Sequence, residues 1–160
     1  REKTFESGTK LLLAPGMSQV YYGDESARSL DIEGTQGDAT LRPFMNWDDI
    51  TNKPETKEVL LHWQKLGQFR KRHPAVGAGI HAQISATPYV FSRIYIKGKY
   101  TDKVVVGLDL PLGKKEISVG TIFKNGSKVY DVYSNTEAIV IGGKVNIQTN
   151  YTILLLEEKK

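Results

Sequence analysis

The order of apolar and polar positions divides the chain into two textures. Residues 1–79 alternate helical and irregular signals. From residue 80 onward, short runs rich in Val, Ile, Tyr and Thr recur between closely spaced turn residues, the pattern of an antiparallel β domain. In the first texture, Phe5 to Ala14 reads as the tail of a helix closed by Pro15-Gly16, and Met17 to Tyr22 as one short strand. Residues 24–52 read as a long polar loop, interrupted by Arg42-Pro43-Phe44-Met45-Asn46-Trp47, whose apolar members suggest local packing. Val59, Trp63, Leu66 and Phe69 repeat at helical spacing and predict a helix over 54–72, with Pro54 in its first turn and Pro74 as its stop.

The second texture predicts strands over 80–85, 89–97, 103–110, 116–122, 128–133, 137–141, 144–148 and 151–157. Asn125-Gly126 and Gly142-Gly143 predict tight hairpins. Tyr89, Phe91 and Tyr95 share one sheet face with Arg93, opposite Val90, Ile94 and Ile96. The aliphatic face is the expected core. The aromatic face is expected to look outward or to press against a neighbouring domain. The fold expected is mainly β, with an antiparallel sandwich of Greek-key type over residues 80–160.

Composition narrows the function. The chain has 160 residues, 22 cationic and 18 anionic side chains and no cysteine. Disulfides, thiolate catalysis and Cys–zinc sites are excluded. Residues 1–80 carry 11 cations and 11 anions, and residues 81–160 carry 11 and 7. The surplus is scattered lysine, which fits strand-edge protection and not a nucleic-acid stripe. No apolar run approaches the roughly 20 residues that a membrane span needs.

Candidate chemistry is sparse. The neighbouring carboxylates Asp24–Glu25 and Asp48–Asp49 are read as solvated or capping groups, since glycosidase pairs face each other across a bond. Asp31, Glu33 and Asp38 lack calcium-loop spacing, and His62, His73 and His81 lack zinc spacing. His62 is placed on the polar side of the long helix, and the basic run 70–73 is read as dipole capping. Ser18, Ser26 and Ser29 lack a nucleophile-elbow setting, and Gly34-Thr35-Gln36-Gly37 lacks a phosphate-loop ending. The exposed aromatics of the β region leave two readings open, packing against protein or stacking on sugar.

Three motifs in order carry a family resemblance. Leu11-Leu12-Leu13-Ala14-Pro15-Gly16-Met17-Ser18-Gln19-Val20-Tyr21-Tyr22-Gly23-Asp24-Glu25 resembles the segment around the eighth barrel strand of the α-amylase family of glycoside hydrolases. Arg42-Pro43-Phe44-Met45-Asn46-Trp47-Asp48 resembles that family's Arg-x-Pro-Met-x-Trp-Asp loop, with Phe44 where the family has Pro. Leu66-Gly67-Gln68-Phe69-Arg70-Lys71-Arg72-His73-Pro74-Ala75 resembles the end of the eighth barrel helix.

The resemblance implies that residues 1–79 are the last βα unit of an incomplete (β/α)8 barrel and that residues 80–160 are the family's C-terminal β-sandwich. It implies a parent enzyme that acts on α-glucans such as starch with retention, using an Asp nucleophile, a Glu acid/base and an Asp stabiliser. Those lie on barrel strands upstream, so no catalytic residue, cofactor or metal ligand is expected here. Arg42, with Asp24 and Asp48 behind it, is the implied substrate-binding set. An alternative for Arg42 is pinning the loop to Asp48 or Asp49. The expected role is structural support of the barrel. The alternative is an α-glucan-binding module using aromatics such as Tyr100, Tyr133 or Tyr151. The implied partners are α-glucan through the parent enzyme, and the rest of the barrel or a second copy of the chain. The resemblance further implies an exported bacterial parent.

Overall fold

A computed structural model describes residues 3–30 and 32–159. Its elements are α1 (Thr4–Leu13), a 3-10 turn (Gly37–Leu41), α2 (Trp47–Asn52), α3 (Pro54–Arg72), α4 (Pro74–Ala78), β1 (Ile80–Ser85), β2 (Tyr89–Lys97), β3 (Tyr100–Leu108), β4 (Gly113–Ser118), β5 (Lys128–Asp131), β6 (Thr136–Ile139), β7 (Lys144–Thr149) and β8 (Leu154–Glu158). The chain divides into two compact units, Arg1–Gln68 and Phe69–Lys160.

In the first unit, α1 meets α3 through Trp63, whose indole Nε1 donates to the Thr4 carbonyl at 3.1 Å. Gly8 makes room for that ring, because a Cβ there would lie 2.8 Å from the indole. His62 is buried beside Trp63 rather than on a polar side. Its Nε2 lies 3.0 Å from both Thr9 Oγ1 and the Phe5 carbonyl, and its ring packs 5.0 Å from that of Phe5. Helical spacing alone could not reveal that α1 covers this side of α3.

The strand expected over Met17 to Tyr22 does not form. A strand is held by hydrogen bonds to a neighbour, and the described residues of this unit contain no other strand. The expected loop over 24–52 is shortened by the 3-10 turn and by α2. Pro74 ends α3 as expected, but it also opens α4 as that helix's first residue, a position that costs proline no hydrogen bond.

The second unit is an antiparallel β fold. A six-stranded sheet of order β1-β2-β3-β8-β5-β6 accompanies a two-stranded sheet, β4-β7. Val90, Val105, Val129, Leu154 and Leu156 from the larger sheet and Ile117, Val145 and Ile147 from the smaller one form a single buried core. Adjacent Val104 and Val106 point to the other face of β3 and are buried too. There α4 packs against β2 and β3, and the buried Arg93 guanidinium donates to the Val76 carbonyl and lies over the Phe91 ring. Of the aliphatic face of β2, expected to be core, Val90 joins the core cluster whereas Ile94 does not and Ile96 is 67% exposed, and α4 covers part of the aromatic face.

Strand positions follow the sequence closely, whereas two hairpin expectations change. Asn125-Gly126 does not join paired strands. It lies on the passage between the two sheets, where Gly126 N–H donates to the Val140 carbonyl and Asn125 Oδ1 accepts from Gly142 N–H. Gly142-Gly143 does turn tightly, with positive φ at both residues, but it closes only the bridge Ile141–Lys144 before the chain changes sheet.

Candidate functional site

Two polar arrangements stand out, one in each unit. In the first unit, residues 21–28 make successive turns, with Asp24 N–H donating to the Tyr21 carbonyl at 3.1 Å and Arg28 N–H to the Gly23 carbonyl at 2.9 Å. Gly23 has φ +89°, and a Cβ there would fall 2.1 Å from Arg28 Nε. Both the conformation and the close approach therefore require glycine.

Arg28 organises this loop. Its guanidinium is 2% exposed and donates to the carbonyls of Pro43 at 2.8 Å, Tyr22 at 2.9 Å and Leu41 at 3.2 Å. It also lies 4.2 Å from the Tyr22 ring centroid. Ser26 and Asn46 add a reciprocal clasp: Ser26 Oγ donates to Asn46 Oδ1 at 2.7 Å, and Asn46 Nδ2 donates to the Ser26 carbonyl at 3.0 Å. Sequence reasoning missed Arg28. Nothing in its spacing separates it from an exposed arginine, because its partners are backbone carbonyls brought in by the fold.

The residues expected to bind substrate lie around this loop. Asp24 is half-buried and lines a cavity of about 410 Å³ with Thr4, Leu11 and Trp63. Arg42 and Asp48 are exposed, Arg42 just after the 3-10 turn and Asp48 in the first turn of α2. Asp49 turns to Lys53 at 2.8 Å and to Asn46 Nδ2 at 3.4 Å, and the Lys53 hydrogen bond holds its carboxyl below the ordinary value. Glu25 caps Gly23 N–H at 3.0 Å, so neither neighbouring carboxylate pair acts as a unit. Asp31 of the calcium-loop reading lies outside the described residues; among the described residues, no group of three or more His, Asp or Glu is arranged to hold a metal ion.

The second arrangement is a groove of about 1050 Å³ in the β unit, bordered by Arg72, Tyr100, Lys103, Lys124, Tyr130 and Glu137. His73 sits at its edge with Nδ1 2.8 Å from Asp102 Oδ1 and Nε2 2.6 Å from Glu157 Oε2. Asp102 also accepts Ala75 N–H at 2.9 Å, and Arg72 reaches Glu157 at 3.2 Å. The basic run at the end of α3 thus anchors that end to β3 and β8 in addition to facing the helix dipole. The imidazole fills the space between the two carboxylates, so no glycosidic bond can enter between them as acid and nucleophile would require.

The tyrosines named for sugar stacking separate. Tyr100 and Tyr151 are 47% and 44% exposed. Tyr133 is buried, its ring edge-on to Tyr151 at 5.0 Å, and burial pushes its phenol up to about 12. It therefore offers no face to a sugar.

Comparison with known proteins gives a consistent picture. No family model matches the chain. Over 79 residues it is 46% identical to the periplasmic α-amylase of Escherichia coli K12, a stretch that covers 49% of this chain and 11% of that protein. In fold it is similar to an Anoxybacillus α-amylase (TM-score 0.64, 20% identity, 99% of this chain and 33% of that one). It is also similar to the Geobacillus thermoleovorans α-amylase solved with acarbose (TM-score 0.64, 18% identity, 99% and 34%). A third likeness is to AmyP solved with maltose (TM-score 0.61, 16% identity, 97% and 34%). The chain thus spans about a tenth of the curated relative and a third of these solved chains. Over 49% of its length the chain is thus similar in sequence to a periplasmic α-amylase, and over nearly all of it similar in fold to the corresponding third of solved α-amylases.

Proposed function

We propose that this chain serves as the C-terminal, non-catalytic portion of an α-amylase-like glycoside hydrolase acting on α-glucans, with the β unit supporting a catalytic barrel. The observation that carries this reading is the 46% identity to a periplasmic α-amylase. The three ordered motifs and the likeness in fold support it. A closed barrel needs all eight strands to pack its interior, and the described residues of the first unit supply helices and a loop but no strand. Arg42, Asp24 and Asp48 would then border the substrate cleft of the assembled parent from the loop that Arg28 holds. A parent outside the cytoplasm is the reading that its periplasmic relative supports.

The partner of the first unit is the rest of the parent barrel. Met17 and Phe44 are fully exposed, and Trp47 is 66% exposed; large apolar side chains left in solvent are what a missing contact leaves uncovered. The test is starch hydrolysis by the purified 160-residue chain and by the same chain co-expressed with an upstream barrel. No reducing sugar is expected from the chain, and activity is expected from the pair. Turnover by the chain on its own would overturn the reading.

A further inference from the structure

We propose that His73 is a proton-operated latch of the β unit, closed while its imidazole carries both ring protons and loosened when one is lost, and that it controls how firmly α4 is seated on β2 and β3. Nδ1 lies 2.8 Å from Asp102 Oδ1, and Nε2 lies 2.6 Å from Glu157 Oε2. An ionised carboxylate only accepts, and a neutral imidazole has one N–H and one lone pair. A neutral ring therefore sets its lone pair against one of the two carboxylate oxygens. The imidazolium donates to both, through two hydrogen bonds of the stronger, charge-assisted kind. Asp102 uses its other oxygen, Oδ2, to accept Ala75 N–H at 2.9 Å, and Val76 N–H donates to the His73 carbonyl at 3.0 Å. The same two residues thus hold the first turn of α4, whose Ala75 and Val76 are buried.

The surroundings favour this latch. The His73 side chain is 12% exposed, between Asp102 at 9% and Glu157 at 23%, so water is poorly placed to replace a lost bond. From α3, the Phe69 ring packs 4.7 Å from the imidazole and Arg72 sets a second cation on Glu157 at 3.2 Å. The short α4 carries no charged side chain. Arg93 of β2 is turned to the Val76 carbonyl and the Phe91 ring. Tyr130 of β5, in register with Glu157, donates its hydroxyl to Asn135. Along the groove, Lys103 donates to the Ile122 carbonyl, Lys159 to Glu137, and Glu158 accepts from Ser127, while Lys124 is exposed. Carboxylates, phenols, ammonium and guanidinium groups ordinarily keep their charge between about pH 6 and 8.5, so the histidine is the group that responds there. A proton held in the fold and shed on unfolding stabilises the fold below the ordinary histidine value of about 6.5, and less as the pH rises beyond it. The dependence is opposite in sign to that of His62, which burial keeps neutral.

The test is nitrogen NMR of the imidazole rings in the 160-residue chain, with hydrogen exchange of the Ala75 amide, from about pH 6 to 8.5, beside Asp102→Asn. Resolving the rings separately removes His81, the other titrating imidazole of the β unit, from the reading. In the unsubstituted chain both His73 nitrogens are expected to carry protons at about pH 6.5, where a free histidine is half titrated. Ala75 exchange, taken relative to its intrinsic rate, is expected to quicken by roughly tenfold as the ring loses its proton, on the scale of one charge-assisted hydrogen bond. The amide of Asp102→Asn donates to a neutral ring and still accepts Ala75 N–H. There the ring is expected to be neutral at about pH 6.5, with the Ala75 ratio constant across the range. Circular dichroism establishes that the variant is folded. A neutral His73 ring in the unsubstituted chain at that pH would overturn the assignment. So would an Ala75 ratio that stays constant while the ring titrates, or a folded Asp102→Asn that titrates as the unsubstituted chain does. Should Asp102→Asn not fold, the link between ring titration and Ala75 exchange in the unsubstituted chain decides the matter.

Discussion

Arg28 and His62 show how single side chains acquire roles that their neighbours in sequence do not announce. Arg28 closes the loop by donating to three carbonyls. Arg28→Ala strands those acceptors, at about 1–3 kcal/mol for each that stays buried. The variant is expected to be cut between residues 22 and 43 by a protease under conditions in which the parent chain resists, as limited proteolysis can show. His62 carries a pH dependence. Burial holds its imidazole below the ordinary 6.5, against an opposing hydrogen bond to the Phe5 carbonyl. Between the lowered value and 6.5 the unfolded chain binds more protons than the folded one. This contribution to stability is therefore complete above 6.5 and is lost on acidification. Urea unfolding followed by tryptophan fluorescence should show the first unit weakening as the pH falls below 6.5, with a shallower slope in His62→Gln. Neither role was legible in the sequence, because each depends on an element brought in from elsewhere.

Among the elements, α1 and the β5–β6 turn make opposing demands on local preference. Alanine is the better helix former by about 1 kcal/mol, but a Cβ at Gly8 would lie 2.8 Å from the Trp63 indole, and overpacking costs about 1–3 kcal/mol. The packing term is larger, so Gly8→Ala is expected to lower the urea midpoint of the first unit. At the end of β5, Asp131 is fully buried and accepts the backbone N–H groups of Leu155, Tyr133 and Ser134 together with the Ser134 hydroxyl. Burial pushes its carboxyl up while these donors pull it back. Asp131→Ala would leave four donors without that acceptor, and thermal unfolding should show a loss of several kcal/mol, on the scale of about 1–3 per unsatisfied group. Lys115 works in the same manner on β4. It stands on the core side of a strictly alternating strand, and its ammonium donates to the carbonyls of Thr149 at 2.6 Å and Gly113 at 3.1 Å. Alternation alone would have given that position to an apolar residue.

For the whole molecule, the fully exposed Met17 and Phe44 and the largely exposed Trp47 predict concentration-dependent self-association when the partner barrel is absent. Light scattering should show a rise in apparent mass that a combined Met17→Ser and Phe44→Ser variant suppresses. A constant monomer mass in the unmodified chain would count against an uncovered docking face. The sequence by itself determined that the chain is helical over 54–72 and that eight strands follow residue 80, with ends that shift by up to four residues in the fold, because periodicity and turn chemistry act over a few neighbouring residues. It also supplied the family resemblance, since ordered motifs need no coordinates to be read. Only the tertiary structure decided that β4 pairs with β7 and β3 with β8, that Arg28 rather than Arg42 closes the loop, and that residues from α3, β3 and β8 meet around one groove. Those outcomes depend on contacts between residues dozens of positions apart, where hydrogen bonding and burial are settled by which surfaces meet rather than by the order of side chains along any one element.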